Sequence, residues 1–453
     1  MQEHTRRLGT EPLVRLLLRL SIPGMLSTIT VTLYNTVDTY WVAKLGHEAV
    51  AALTIVMPVQ MIIGAIGIGT GIGVTALVSR RFGEDNPEAT NHVAGQIFYL
   101  SIIWGGLFIL ATVLFADVIL PVFGATPDII DASNTYMLII SFGSGSMVFV
   151  LLTSNLIRGS GDAVKPMVIM IGASVLNMVL DPLMILGIGP FPAMGIRGAA
   201  LATVIAQSAG AAAGLGYIVS GKTSFHLRLR HLIPDMRILK DIYRVGAPAT
   251  LLEVTQSVSF AIFNSLLSRH GSVAIAGVGM PLRISDLFFV PLMGASGGLL
   301  PIVGYCYGAR NYKRLWDAVK TAVIGVVILL AVCMAAAEIG SPRIMGLFTD
   351  EPEILELAVP ALRILLAGAI FIGPTLMFVT VFQGLSRGTT AMVLSLLRQF
   401  ILFIPIMYLF SHFFGLYGVM WSLPTSDFLS FLLTYAFTYR EYRKYKTSVH
   451  YAA

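Results

Sequence analysis

Charge is scarce in this sequence. Of 453 residues only 12% are Asp, Glu, Lys or Arg, whereas 56% are hydrophobic and the mean hydropathy is +0.81. Soluble domains carry about 25% charged residues, and here the deficit runs along the whole chain. A soluble domain with a single anchor is excluded, and a polytopic membrane protein is left. Cysteine is nearly absent: Cys306 and Cys333 provide neither a disulfide framework nor a thiolate metal site. The histidines all fall in loops or near helix ends, so no His/Asp/Glu metal motif is expected on a helix. There is no nucleotide-binding domain, which argues against an ATP-driven pump or a membrane enzyme. The N-terminus lacks a short apolar core followed by a small-residue cleavage site, so the first apolar segment is expected to be retained.

Two motifs resemble nucleotide sites and are set aside. "GYIVSGKT", Gly216 to Thr223, matches the phosphate-loop pattern, but that loop needs a preceding strand and a following helix. Here an apolar run precedes it and a polar linker follows. "GAIGIGTGIG", Gly64 to Gly73, reads better as small residues that let membrane helices approach closely.

What the chain does have is apolar length. Twelve segments are each long enough to span a bilayer, at about 20 residues per crossing. They run approximately 13–43, 50–79, 91–119, 130–157, 166–188, 196–219, 239–268, 274–305, 315–340, 355–383, 391–413 and 416–437. The loops between them alternate in charge. "SRRFG", "IRGSGDAVK", "YGARNYKR", "LSRG" and the tail "YREYRKYK" are basic, as is the N-terminus, whereas "KLGHE", "GIGPFPAMG" and "SHFFG" are short and poor in Lys and Arg. Lys and Arg accumulate on the cytoplasmic side, so both termini are expected there, in the plasma or inner membrane.

The chain also repeats itself at an offset of 225 residues. "FGEDN" at 82–86 faces "YGARN" at 307–311, Gly46 faces Gly271, Gly159 faces Gly384 and Pro23 faces Pro248. Six crossings per repeat is an even number, so the halves share an orientation. The expected fold is all-α: two six-helix lobes related by a pseudo-two-fold axis along the membrane normal. The lobes are residues 1–220 and 241–453, joined by a cytoplasmic linker at 221–240. Transporters built from such repeats place their sites near the midplane, which argues for alternating access and against a passive channel.

A charge at the centre of a membrane helix costs about 3 kcal/mol on insertion scales and is functional by default. The first half has two such residues, Asp38 and Asp181; the second has Glu253, Arg283, Asp286, Arg363, Arg398 and Asp427. Asp38 lies eight residues before the loop glycine Gly46, and Thr203 eight after Gly195, each about 12 Å in at 1.5 Å per residue. Asp181 lies six before Gly187, about 9 Å in. Asn177 stands one turn before Asp181, and Tyr34 one turn before Asp38, so each shares a face with its acid. This is an all-oxygen set of the kind hard cations take, and repulsion between two close carboxylates is relieved equally by a proton. The cluster Asp38, Asn177, Asp181 and Thr203 can therefore hold Na⁺ or H⁺. In the second half Glu253, with Gln256 nearby, can pair with Arg283, and Arg283 can pair with Asp286; Asp427 reads as a lone acid.

The residues resemble the multidrug and toxic compound extrusion family over nearly the whole chain. The resemblance rests on "LSIPGML…YNTVDTYWVAKLG", "SRRFG", "YCYGAR", "LIRGSGD", and "VLNMVLDPLMI" followed by "GIRGAALAT". It implies a secondary antiporter that exports amphiphilic, often cationic compounds against Na⁺ or H⁺. It implies no cofactor, no nucleic-acid partner and no enzymatic activity, and a monomer is expected in the lipid bilayer. By position it places Asp38, Asn177, Asp181 and Thr203 at the first-lobe cation and proton site. Tyr34 and Asn155 fall on or near the cavity lining, and Pro23 at a first-helix hinge. Glu253 matches an acid of the NorM-like branch, but the tenth helix, "FIGPTLMFVTVFQG", lacks that branch's aspartate, which favours a first-lobe, DinF-like mechanism. The alternative is a lipid or lipid-linked oligosaccharide flippase of the same superfamily. It would need a cationic cavity for pyrophosphate, and the first lobe offers acids.

Overall fold

A chain crossing a bilayer can satisfy its backbone only as helix or closed barrel, and in the computed structural model every regular element of the described residues, 3–450, is helical. The side chains of 257, 258, 260, 261, 272, 286 and 446–450 are outside the described set, so the expected Arg283–Asp286 pairing lies outside the described residues. A short helix α1 (Glu3–Thr10) precedes α2 (Leu13–Ala43), α3 (His47–Gly83), α4 (Pro87–Val122), α5 (Ile130–Gly159), α6 (Val164–Leu186) and α7 (Ile196–Val219). The second half contains α8 (Met236–Ser268), α9 (Ser272–Gly308), α10 (Tyr312–Gly346), α11 (Pro352–Gly384), α12 (Gly388–Leu396) and α13 (Ile404–His450). A wider π-helical turn, Leu397–Phe403, joins α12 to α13, and α13 breaks at Gly415 (φ 58°, ψ −136°) into two crossings. Twelve membrane helices result. The phosphate-loop look-alike spans the end of α7 and the turn after it, with no strand before it.

The repeat is visible in the backbone itself. Gly46 and Gly271 cap α3 and α9 with nearly equal angles, φ 110° and ψ 175° against φ 90° and ψ 174°. Asp85 and Arg310, both non-glycine residues with positive φ (52° and 55°), turn the chain after α3 and α9. The next residue in each case, Asn86 and Asn311, accepts a backbone N–H three residues on with its side chain, an N-cap of the usual kind. Only in the last crossing does the register shift. Gly195 (φ 56°, ψ −134°) matches Gly415 at an offset of 220, because the long return "GIGPFPAMG" of the first half is shortened in the second.

The structure packs as two compact units. One is residues 26–250 with the first few residues; the other is residues 8–25 with those from 251 onward. Two of the three changes of unit, after residues 25 and 250, fall two residues beyond a buried or half-buried helix proline, Pro23 in α2 and Pro248 in α8. In the first unit the most extensive packing is α3 on α5, and in the second it is the repeat-related pair α9 on α11. Leu114, Val118 and Ile102 of α4 are 61%, 61% and 74% exposed, an apolar face that only lipid would cover.

The 221–240 linker is held tightly to the first unit. Asn91 accepts the His226 N–H at 2.8 Å, and Gln96 donates to the Ile233 carbonyl at 2.9 Å while accepting the Asp235 N–H at 3.0 Å. His231, 1% exposed, accepts the Arg228 N–H on Nδ1, so its Nε2 carries the proton donated to Glu88 at 3.0 Å. Glu88, His92 and His231 thus form a cluster with metal-like spacing, which the sequence hides because its third member comes from the linker. Its tautomer and the Arg230–Glu88 ion pair at 2.7 Å make it a polar lock.

Gly198 and Gly418 take the same place in the two lobes. A Cβ on Gly198 would lie 2.4 Å from the Met184 carbonyl oxygen, and one on Gly418 2.0 Å from that of Phe410. Gly198→Ala and Gly418→Ala are each expected to destabilise the purified protein by about 1–3 kcal/mol through overpacking. Gly216→Ala, whose Cβ meets nothing within 4 Å, is expected to hold or raise the melting temperature. Thermal unfolding of the three variants in detergent checks this, and equal melting temperatures would contradict it.

Candidate functional site

The first unit brings four expected residues to one place. α6 ends at Gly187, whose left-handed conformation (φ 74°) turns the chain back. The return is clamped by Met194 N–H to Met184 O at 3.0 Å and Gly195 N–H to Ile185 O at 3.2 Å. With Gly198 allowing contact, α7 runs close beside α6 and sets Thr203 opposite Asn177. The Asn177 amide donates to Asp181 Oδ1 at 3.2 Å and to Thr203 Oγ1 at 3.4 Å. Asp181 is fully buried, Asn177 2% exposed, and Asp38 and Thr203 8% exposed. Asp38 lies within electrostatic reach of Asp181.

Three oxygens of this cluster, Asp38 Oδ1, Asn177 Oδ1 and Asp181 Oδ2, are buried without a hydrogen-bond donor among the described residues. Buried polar atoms are normally paired, and two carboxylates left so are costly. The donor set is all oxygen and doubly acidic, which suits a hard monovalent cation or a proton. Sequence reasoning missed one neighbour. Tyr136 of α5, 1% exposed, lies within electrostatic reach of both acids. The available signal was its depth, six residues into α5 from Ile130.

Beside the cluster is a cavity of about 190 Å³, lined by Tyr34, Asn177, Thr203 and Gln207 together with apolar residues that include Met147 and Met170. Tyr34 and Asn177 thus connect the oxygen cluster to open space. Asn155 is not among the lining residues. Its oxygens accept from Thr75 Oγ1 at 2.9 and 3.2 Å and its amide donates to Leu151 O at 2.9 Å, which ties α5 to α3.

The second unit is arranged differently. Phe263 and Leu423 occupy the repeat positions of Asp38 and Thr203, and both belong to an apolar cluster with Phe403, Met407 and Met420. The stretch 402–406, "LFIPI", replaces the region of Asn177 and Asp181. Glu253 is half-buried and Arg283 exposed, and no ion pair joins them among the described residues. Gln256 lines a second cavity. One reading needs correction. Asp427 is not alone, because Arg398 Nε donates to its Oδ1 at 2.7 Å; the partner comes from the adjacent π-helical turn, which a count at α-helical spacing cannot place. Arg363, to which the sequence assigns no role, pairs with Glu338 at 3.3 Å and donates to Ser341 Oγ at 2.9 Å.

The MatE family pattern matches residues 23–183 and again 248–409, and the chain belongs to that family. The two matches begin 225 residues apart, at the two prolines. Among curated relatives, the multidrug export protein MepA of Staphylococcus aureus (strain NCTC 8325 / PS 47) is 25% identical over 429 residues, 94% of each chain. MepA of Staphylococcus haemolyticus is 25% identical over 428 residues, 93% of each. Among solved structures, an outward-facing multidrug resistance MATE transporter of the MOP superfamily superposes with a TM-score of 0.91 at 28% identity, covering 99% of both chains. A MOP superfamily transporter from Pyrococcus furiosus, described as having a binding pocket of reversed polarity, superposes with a TM-score of 0.90 at 28% identity, covering 98% of this chain and 99% of the other.

Proposed function

We propose that this protein is a secondary active exporter of amphiphilic, often cationic compounds, driven by an inward flow of Na⁺ or H⁺. It resides in the plasma membrane with both termini in the cytoplasm and works as a monomer. Membership of the MatE family and full-length similarity to multidrug exporters support the class. The observation that carries the coupling site is the set of donor-less oxygens on Asp38, Asn177 and Asp181 beside a methionine-lined cavity. A cation or proton neutralises the acids, bound substrate competes with it, and the difference in affinity biases the transporter between two states. Methionine side chains adapt to ligands of varied shape. Pro23, which cannot complete the helical hydrogen bonding of α2, is the hinge. Solved relatives in bent and straight conformations are consistent with such a role.

The test is drug efflux from everted vesicles with Na⁺ and H⁺ gradients imposed separately. Export driven by one or both gradients supports the reading; export that requires ATP and ignores both refutes it. Glu253→Gln is expected to cost less than about threefold in ion-driven efflux, since the second unit has apolar side chains where a coupling cluster would stand. Abolished efflux in Glu253→Gln with intact efflux in Asp38→Asn would move the coupling site to the second lobe.

A further inference from the structure

The second unit contains a cavity of about 180 Å³, close in volume to the 190 Å³ cavity of the first. The two are related position by position through the repeat. Gln256, Ser259, Met293 and Ile372 line the second cavity, and the residues 225 earlier, Val31, Tyr34, Ile68 and Met147, line the first. Two positions carry opposite chemistry. Arg398 stands where the first lobe has Ala173, and Asp427, at the offset of 220 set by Gly195 and Gly415, stands where it has Gln207. An ion pair thus replaces an uncharged pair at the same place in the same fold.

The fold does not need that pair, because the first lobe closes its cavity without it. Buried pairs often add nothing to stability over apolar side chains of similar size. The Asp427 side chain is 8% exposed and that of Arg398 25%. The hydrogen bond between them uses one of five guanidinium donors. Both terminal amines of Arg398 are without a partner among the described residues. Beside it Gln399 Oε1 is buried without a donor, and the π-helical turn Leu397–Phe403 carries both side chains. Phe263, Phe288, Phe289 and Phe403 supply aromatic walls.

We propose that this cavity is a second ligand site, distinct from the coupling cluster, which takes zwitterionic amphiphiles: the ligand's anionic group meets Arg398, its ammonium meets Asp427, and its apolar body packs on the phenylalanines. A ligand carrying a single charge competes for one member of the pair and leaves the other uncompensated in an apolar setting, which is unfavourable. A zwitterion exchanges with both at once.

Two matched probes test this with the purified full-length protein in lipid nanodiscs. Nε-dansyl-lysine carries an ammonium and a carboxylate on a dansyl body; dansylcadaverine is the same molecule without the carboxylate. Binding is read from dansyl fluorescence. The wild type is expected to bind dansyl-lysine more tightly than dansylcadaverine at this site. The double variant Arg398→Gln/Asp427→Asn should weaken dansyl-lysine by about tenfold or more, the usual range for losing charge-assisted hydrogen bonds, with a much smaller effect on dansylcadaverine. Ala369→Phe, which fills the cavity and keeps the ion pair, should weaken dansyl-lysine as well, so the result does not hang on the stability of the charge-free variant. Asp38→Asn should leave dansyl-lysine binding in place, which separates this site from the coupling cluster. Dansyl-lysine binding unchanged in both second-lobe variants, or both probes weakened equally, would overturn the proposal.

Discussion

Asp38→Asn and Asp181→Asn are each expected to insert and fold normally and to lose ion-driven export. Asparagine keeps the shape of the side chain and removes the negative charge. Asp181 is fully buried and Asp38 nearly so, without an ion-pair partner among the described residues, so neither substitution strands a cation. A buried carboxylate oxygen with no donor, as on Asp38 Oδ1 and Asp181 Oδ2, is a cost to the folded state, and the neutral replacement should hold or raise thermal stability. What is lost is the reason for an ion to bind. Coupling free energies of about 1–3 kcal/mol correspond to factors of about 5–150 in affinity. Efflux from everted vesicles is expected to fall by at least about tenfold on that scale. Substrate binding should persist in both variants and should no longer weaken when Na⁺ is added or the pH is lowered. Wild-type efflux in either variant at normal expression would remove that acid from the coupling mechanism.

The architecture was legible because its main signals are periodic and local. Apolar length marked each crossing, basic loops marked every second turn, and single residues such as Gly46 and Gly271 marked the repeat through a backbone conformation that side chains resist. The proximity of the buried oxygens was legible for a related reason: depth along a helix is a linear quantity, so Asp38, Asp181 and Thr203 could be compared by counting from loop glycines. What counting could not reveal was contact between distant segments. The Asp427 partner lies on a π-helical turn that departs from regular helical spacing. Tyr136 approaches the acids from α5, whose rotation about its axis is set by packing. Asn155 sits at a plausible depth, yet its side chain is engaged by Thr75, and depth alone could not tell those outcomes apart. The metal-like group of Glu88, His92 and His231 depends on a linker folding back on α4, which no periodicity describes.

Asn177→Leu is expected to separate Na⁺ from H⁺. A sodium ion needs several oxygen ligands at once, whereas a proton needs one carboxylate. Asn177 is the only uncharged member of the cluster that touches two others, donating to Asp181 and Thr203 through one end of its amide. The other end, Oδ1, is buried without a donor and is neutral at any working pH. A proton-only site has no use for an additional acceptor there, while a sodium site gains a ligand. Leucine is close in size and offers no oxygen, so ²²Na⁺ binding should weaken by about tenfold or more, as expected when a polar ligand is deleted from a buried site. Proton-driven efflux should fall only mildly, because both carboxylates remain. The two measurements are made on the same preparation, with Asp181→Asn as the control that loses both. Equal loss of Na⁺ binding and proton-driven efflux would mean that Asn177 serves to hold Asp181 and Thr203 in place. Unchanged ²²Na⁺ binding would remove Asn177 from the coordination shell and leave a site in which the two carboxylates alone carry the coupling ion.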